Sequence, residues 1–252
     1  MRDFFLFETE LPADSGFALF GTGHLIWLFG IMGFVVITGL WYMRQAQTVQ
    51  VKVNQVMGIV FPVLAIYRDT VLVLTGHFDR GFLPFHLCSM ALWIAAIYIW
   101  TGNRFFGTVY VLLCVPGALG ALIFPDWVAY PFVNYMNIHG FISHGLLVGF
   151  GVWLAMSGRL CPAWKDFWMP VVFGVVGFPV IALINNQLGT NYWFLSHPSQ
   201  GSPMVWIIGI TGNRWYFLGY FIFCSIVVAV WQGIISGVRF LIGMRQRNSL
   251  IE

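Results

Sequence analysis

Two residues of reactive type lie in separate apolar segments: Cys88 in LPFHLCSM and His144 in NIHGFISHG. The thiolate is the nucleophilic form of cysteine, and because apolar surroundings disfavour it, such a thiol needs a base. A neutral histidine within hydrogen-bond reach takes the thiol proton and later returns it to the leaving group. Asn186, Asn191 or N–H groups at a helix start are candidates to stabilise an oxyanion. These residue types are therefore suited to covalent catalysis.

The same residues also have structural interpretations. A lone cysteine in a membrane helix commonly fills a gap in the packing, and a lone histidine commonly makes one interhelical hydrogen bond. On a regular helix His86 and Cys88 project about 200° apart, and His139 and His144 about 140° apart. The members of each pair therefore cannot face one cavity together, and spacing alone does not choose between them.

The elements that position these residues are membrane spans. Of 252 residues, 59% are apolar and 8% charged, whereas a soluble domain carries about 25% charged residues. A net charge of +3 dispersed over short loops does not indicate a nucleic-acid-binding protein, which gathers its Lys and Arg residues on one face. A spanning helix needs about 20 apolar residues, and seven segments qualify: 21–43, 53–75, 84–101, 105–124, 137–157, 168–188 and 215–240. We expect an all-α, multi-pass protein of the cell membrane, folded as one domain over residues 1–252.

Loop charges predict the orientation of this bundle. With an outward N-terminus, eight Lys and Arg residues fall on the inner side and three on the outer side. Lys and Arg concentrate on the cytoplasmic side of membrane proteins. The sequence therefore predicts N-terminus out and C-terminus in.

In this orientation the polar groups gather in the outer turns of the helices. A charged side chain within the hydrocarbon costs about 2.5–3.5 kcal/mol, so it persists mainly where it is paired or functional. Arg68 and Asp69 lie deepest, and because adjacent helical residues project about 100° apart, we expect separate partners for them; an ion pair of Arg68 with Asp69 or Asp126 is the alternative. An outer-leaflet cavity would also include His24 and His139. Arg68 and Arg214 are candidates to hold a lipid phosphate.

A zinc site is the rival chemistry, because all six histidines fall on the outer side. Catalytic zinc takes three protein ligands, two of them commonly from one helix at i and i+4. The only close pair, His139 and His144, is five residues apart. We therefore expect neither a metal nor a cofactor, and keep a metal-dependent lipid hydrolase as an alternative.

Several motifs occur together in a characteristic order: FGTGHLIWL, LPFHLCSM, GALGALIFPD, ISHG, CPAWKDFW, NNQLGTNYWFLSHP and RWYF. With these motifs the chain resembles the YwaF-like family of bacterial integral membrane proteins, related to the eukaryotic transmembrane protein 164, an acyltransferase of ether phospholipids. The resemblance implies acyl transfer through a cysteine acyl-enzyme, with Cys88 of LPFHLCSM as nucleophile and His144 of ISHG as base. Residues 1–18 and 199–213 match this pattern poorly.

The leading hypothesis is a lipid acyltransferase or transacylase acting on a phospholipid or lysophospholipid in the outer leaflet. His86, Asn186 and Asn191 would be supporting polar groups. A small transporter or lipid-binding membrane protein without covalent chemistry is the alternative from another class. A transporter would favour polar residues continuing inward, and the inner halves of the helices offer almost none beyond Thr38 and Gln232.

Overall fold

The computed structural model describes residues 3–248, with side chains through Phe240. In this part of the chain the regular structure is helical, and seven helices are long and apolar enough to cross a membrane. They are α1 (Thr22–Arg44), α2 (Gln47–Leu74), α3 (Leu87–Thr101), α4 (Arg104–Ile123), α5 (Tyr135–Met156), α6 (Trp168–Leu188) and α7 (Met204–Asn248). The all-α, seven-helix fold is confirmed. The orientation and the single domain over residues 1–252 stay predictions, and the ends of that domain lie outside the described residues.

Helix α5 is the centre of the bundle. In its apolar window 72% of the residues are buried inside the protein, against 11% in α1, which packs against it. Two glycines of α5 face α1. A Cβ added at Gly145 would lie 3.1 Å from the Ile31 side chain, and one added at Gly149 would lie 3.3 Å from the Val35 side chain. Small residues let membrane helices approach closely, because their association depends on packing rather than on the hydrophobic effect.

Helix α4 contains a π-helical turn at Tyr110–Cys114, just before Pro116. Proline has no N–H group, so it cannot donate to the preceding turn. The Val111 carbonyl, five residues before Pro116, instead accepts a hydrogen bond from Trp231 Nε1 of α7 at 2.9 Å. Single π turns of this kind are common at functional sites, and this one brings Leu113 and Pro116 to the wall of a cavity described below.

Two helix ends differ from the prediction. We expected Pro84 in the first turn of the third helix, but α3 begins at Leu87, because His86 is extended (ψ 141°) and Pro84 belongs to the turn before it. We also expected a loop over 189–213, yet residues 204–211 are helical. Gly212 then breaks the helix with φ 66°, in a region that glycine adopts without strain.

Candidate functional site

Two cavities meet beside the first turn of α3. The two cavities are similar in size, with volumes of about 260 Å³ for the polar cavity and about 230 Å³ for the apolar cavity. Both walls include His86, Cys88, Ala121, Asp126 and Phe194. The polar cavity adds the polar side chains of Glu8, Arg68, Ser89, Tyr130, His139, Ser143 and His144. The apolar cavity adds mainly Leu87, Leu113, Pro116, Gly117, Gly120, Phe124, Phe223, Val227 and Val228. Cys88 therefore stands where a polar space and an apolar space join.

Cys88 is the second residue of α3, rather than a full turn inside the helix. The first turn of any α-helix carries N–H groups without an intrahelical acceptor, and the helix dipole makes this end positive. The N–H groups of Leu87, Cys88 and Ser89 are in this position. They are fixed backbone donors next to Cys88 in the chain, of the kind suited to a developing oxyanion.

His144 presents one ring nitrogen to the polar cavity. Its Nδ1 lies 2.7 Å from the carbonyl oxygen of Gly140, and because a carbonyl only accepts, Nδ1 carries the proton. Its Nε2 has no hydrogen-bond partner among the described residues and, in this tautomer, offers a lone pair. The Trp127 indole stacks on the imidazole with ring centroids 4.9 Å apart. The imidazole is therefore oriented as a neutral base.

Gly140 allows Trp127 to occupy this position. A Cβ at residue 140 would lie 2.7 Å from Trp127 Cε2 and 3.0 Å from Nε1, closer than real side chains approach. Since Gly140 also accepts the His144 hydrogen bond, one glycine supports both contacts that orient the imidazole. It is a positioning residue that the sequence analysis did not identify.

Arg68 ties α2 to the start of α3. Its Nη1 donates to Ser89 Oγ at 3.0 Å, and its Nη2 donates to the Phe82 carbonyl at 2.9 Å. Both Nε and Nη2 contact Asp69 Oδ1, at 2.8 and 2.6 Å. The prediction of separate partners for Arg68 and Asp69 is wrong, because the long arginine side chain folds back onto its neighbour. Arg68 lines the polar cavity, whereas Asp69 does not.

The two other histidines near Cys88 have different surroundings. His139 lines the polar cavity, and its Nε2 is 3.1 Å from the Leu64 carbonyl. His86 lines both cavities and packs edge-on against Tyr192, with ring centroids 5.0 Å apart. His139 and His144 thus reach the polar cavity from α5, and His86 reaches it from the residue before α3.

His24 does not line either cavity. It is completely buried, its Nδ1 accepts from the Phe20 N–H at 2.9 Å, and its Nε2 donates to the Leu122 carbonyl at 2.8 Å. Nδ1 therefore holds the turn before α1, and Nε2 fastens the start of α1 to the end of α4.

Three further candidates also lie away from the two cavities. Asn186 is exposed on α6, and Arg214 is exposed on α7, where it lies over the Trp215 ring. The Asn191 amide donates to the His197 carbonyl at 2.9 Å and organises the loop after α6. Among the residues that the structure describes, no group of three His, Cys, Asp or Glu side chains is arranged to hold a metal ion.

The sequence of the chain connects this geometry to a family. A sequence model of the TMEM164 family matches residues 19–232 of the 252 residues. The chain belongs to the TMEM164 family. No curated protein and no solved structure matches it. The predicted relation to transmembrane protein 164 is confirmed at the level of the family, while the closer relation to bacterial YwaF-like proteins stays a prediction.

The TMEM164 match covers the walls of both cavities except Phe7 and Glu8. These two residues belong to the N-terminal segment, which packs against the loops that follow α2 and α4. Phe7 stacks on His77 with centroids 5.1 Å apart, and the Glu10 carboxylate lies 3.1 Å from His77 Nε2. The Phe7 N–H also donates to Glu10 at 2.9 Å, and this bond is the main reason that the pKa of Glu10 is lowered.

Asp126 is the charged residue at the junction that the predicted site left out. It follows α4 and lies on both cavity walls. Its side chain is exposed to the cavity space, and the protein packed around that space makes the charged form less favourable, which raises the pKa of its carboxyl. The sequence signal was present, because Asp126 is an acidic residue directly after an apolar span, but nothing in the sequence related it to Cys88.

Proposed function

We propose that this TMEM164 family protein transfers acyl groups between phospholipids through a thioester on Cys88. The observation that carries the proposal is that Cys88 and His144 line one polar cavity, at the place where the apolar cavity begins. The family resemblance supports a cysteine acyl-enzyme with a histidine base. The substrate is a phospholipid, and the acceptor a lysophospholipid, in the outer leaflet of the cell membrane.

In the first half-reaction, His144 Nε2 takes the thiol proton as Cys88 Sγ attacks the ester carbonyl carbon. The N–H groups at the start of α3 bind the oxyanion of the tetrahedral intermediate. The carbon–oxygen ester bond then breaks, and the imidazolium returns its proton to the departing lysolipid hydroxyl. A thioester on Cys88 and a free lysophospholipid result.

In the second half-reaction, the hydroxyl of the acceptor lysophospholipid attacks the thioester carbonyl, and His144 takes its proton. The carbon–sulfur bond breaks, the new ester leaves, and the proton returns to Cys88 Sγ. Both half-reactions use the same base and the same backbone donors, and His144 returns each proton that it takes, so neither step requires a metal.

The location of Cys88 suits a lipid ester. Phospholipid esters lie at the edge of a hydrocarbon core about 30 Å thick, and Cys88 lies at an end of α3 rather than in its middle. Arg68 has one Nη1 hydrogen beyond the bond to Ser89, and this donor is the candidate for contact with a headgroup phosphate.

The test is acylation of the purified protein in detergent micelles. Protein is incubated with a phosphatidylcholine radiolabelled in its acyl chain, and a hydroxylamine-sensitive protein adduct is measured. We expect the adduct in wild type and its loss in Cys88→Ala. Cys224→Ala is the matched control, because Cys224 is also a free cysteine lining the apolar cavity and should keep the adduct.

The base assignment is tested in the same assay. Loss of a general base typically lowers the rate by about 10²–10⁴-fold, so His144→Ala should acylate more slowly by this range. An adduct that persists in Cys88→Ala would refute the nucleophile assignment. A wild-type rate in His144→Ala would refute the base assignment alone.

A further inference from the structure

We infer that the apolar cavity holds the acyl chain of the Cys88 thioester and that Gly120 determines how long a chain it accepts. This inference rests on the proposed function, and it adds a substrate-selecting residue to it. Four features of the cavity support it: the residue at its opening, the chemistry of its walls, its depth, and the space beside Gly120.

The cavity opens at Cys88 and runs between α4 and α7. On α7 its wall is formed by Tyr220, Phe223, Cys224, Val227 and Val228, a spacing that places all five on one helix face. The opposite wall is Leu113, Gly117 and Gly120 of α4. A chain attached to Cys88 Sγ that avoids the charged groups of the polar cavity has this space open to it.

The depth of the cavity matches one acyl chain. Along α4 the lining residues extend from Phe124 to Leu113, eleven residues, which corresponds to about 16 Å at 1.5 Å per residue. Half of a hydrocarbon core about 30 Å thick is about 15 Å, the depth that one leaflet provides for its acyl chains. Leu113 on α4 and Val228 on α7 mark the opposite end of the lining from Phe124 and Met204.

Gly120 controls the width of the cavity. A Cβ added at Gly120 meets no atom within 4 Å, so a larger side chain there would extend into the cavity without a clash. Residue 120 is one helical turn from Phe124, or about 6 Å below the outer end of the wall. Gly120 precedes Ala121, which lies on the wall that both cavities share, so a leucine at residue 120 would narrow the apolar cavity close to its junction with the polar cavity, where a long chain must pass.

The experiment compares two donors, dihexanoyl- and dipalmitoyl-phosphatidylcholine, by the rate of Cys88 adduct formation measured by intact-protein mass. Each buried methylene contributes about fourfold to binding, so wild type should prefer the long donor. Gly120→Leu should reduce the long-to-short rate ratio by tenfold or more, and Gly120→Ala by less. Gly30→Leu is the control, because Gly30 is an exposed residue of α1 whose added Cβ also meets nothing within 4 Å.

The outcomes separate the two proposals. If Gly120→Leu acylates with the wild-type preference, or if Gly30→Leu changes the preference equally, the chain-site inference is wrong and the acyl-enzyme stands. If wild type forms no adduct with either donor, the proposed function fails and the inference falls with it. Adduct formation from the short donor in Gly120→Leu also shows that the variant folds.

Discussion

The backbone N–H of Leu87 is the group on which the proposed oxyanion site can be tested without altering the nucleophile or the base. Leu87→Pro removes this N–H and leaves the rest of the first turn of α3 in place. The structure accommodates proline at this position, because Leu87 is the first residue of the helix and His86 before it has φ −63° and ψ 141°. Proline favours the first helical position, and the residue preceding proline favours that extended conformation.

The expected effect follows from the number of donors. Three N–H groups, those of residues 87–89, have no intrahelical acceptor at this end of α3. Removing one donor from an oxyanion site typically lowers the rate by about 10²–10³-fold. If the Leu87 N–H shares the oxyanion with the N–H of Cys88, we expect a loss in this range for Leu87→Pro, with little change in thermal stability beyond the loss of the leucine side chain.

The assay is the single-turnover rate of Cys88 acylation. Leu87→Ala is the matched control, since it removes nearly the same side chain atoms but keeps the N–H. Both variants should lose similar thermal stability, because the Leu87 side chain packs against α4 beside Gly117. Equal acylation rates in Leu87→Pro and Leu87→Ala would show that this N–H does not stabilise the transition state.

Four other perturbations follow from the site. Gly140→Ala forces the indole that stacks on the base to move by several tenths of an ångström; because a displacement of about 1 Å can cost about 10²-fold, acylation should slow by tenfold or more, and an unchanged rate would contradict the positioning role. Arg68→Lys loses charge-assisted hydrogen bonds worth about 1.5–3 kcal/mol each, so the thermal midpoint should fall, whereas an equal midpoint would show that these bonds add nothing. Because the pKa of Asp126 is raised in the folded protein, its carboxyl contributes its full stabilisation below the unfolded-state pKa of about 3.9, and this contribution is lost as pH rises through the folded-state pKa. Asp126→Asn should therefore remove this pH dependence from melting curves taken across pH. The lowered pKa of Glu10 has the opposite effect on stability, because its contribution is present above the unfolded-state pKa of about 4.3 and is lost in acid. Glu10→Gln should abolish acid-dependent proteolysis of the N-terminal segment, and cleavage that keeps its pH dependence would contradict this.

The helices were predictable from the sequence because lipid imposes the requirement directly on composition. A segment of about 20 apolar residues must form its hydrogen bonds internally, so both its existence and its approximate ends follow from residue types. The start of α3 was predicted less well. Pro84 is compatible with the first turn of a helix, but it is equally compatible with the turn before one, and only the extended conformation of His86 separates the two.

The site was predictable only in part, for a different physical reason. Cys88 and His144 are recognisable as reactive types, and both line the polar cavity. The contacts that orient them come from residues with no chemical signature, such as Gly140, or from backbone N–H groups that every residue possesses. The expectation that Asn191 supports an oxyanion illustrates the limit, because its amide is used within its own loop.

The division between the two cavities bears on whether the thioester would be transferred or hydrolysed. An acyl chain held between α4 and α7 leaves the thioester carbonyl accessible from the polar cavity, where His139, Ser143 and His144 offer hydrogen-bonding groups for an acceptor hydroxyl. Water would have to reach the carbonyl by the same route. Phe7 and Glu8 of the N-terminal segment form part of the wall of this cavity, and Phe7 packs on His77. Since the segment covers part of this wall, it limits the access of water to the carbonyl, and we expect transfer to be favoured over hydrolysis.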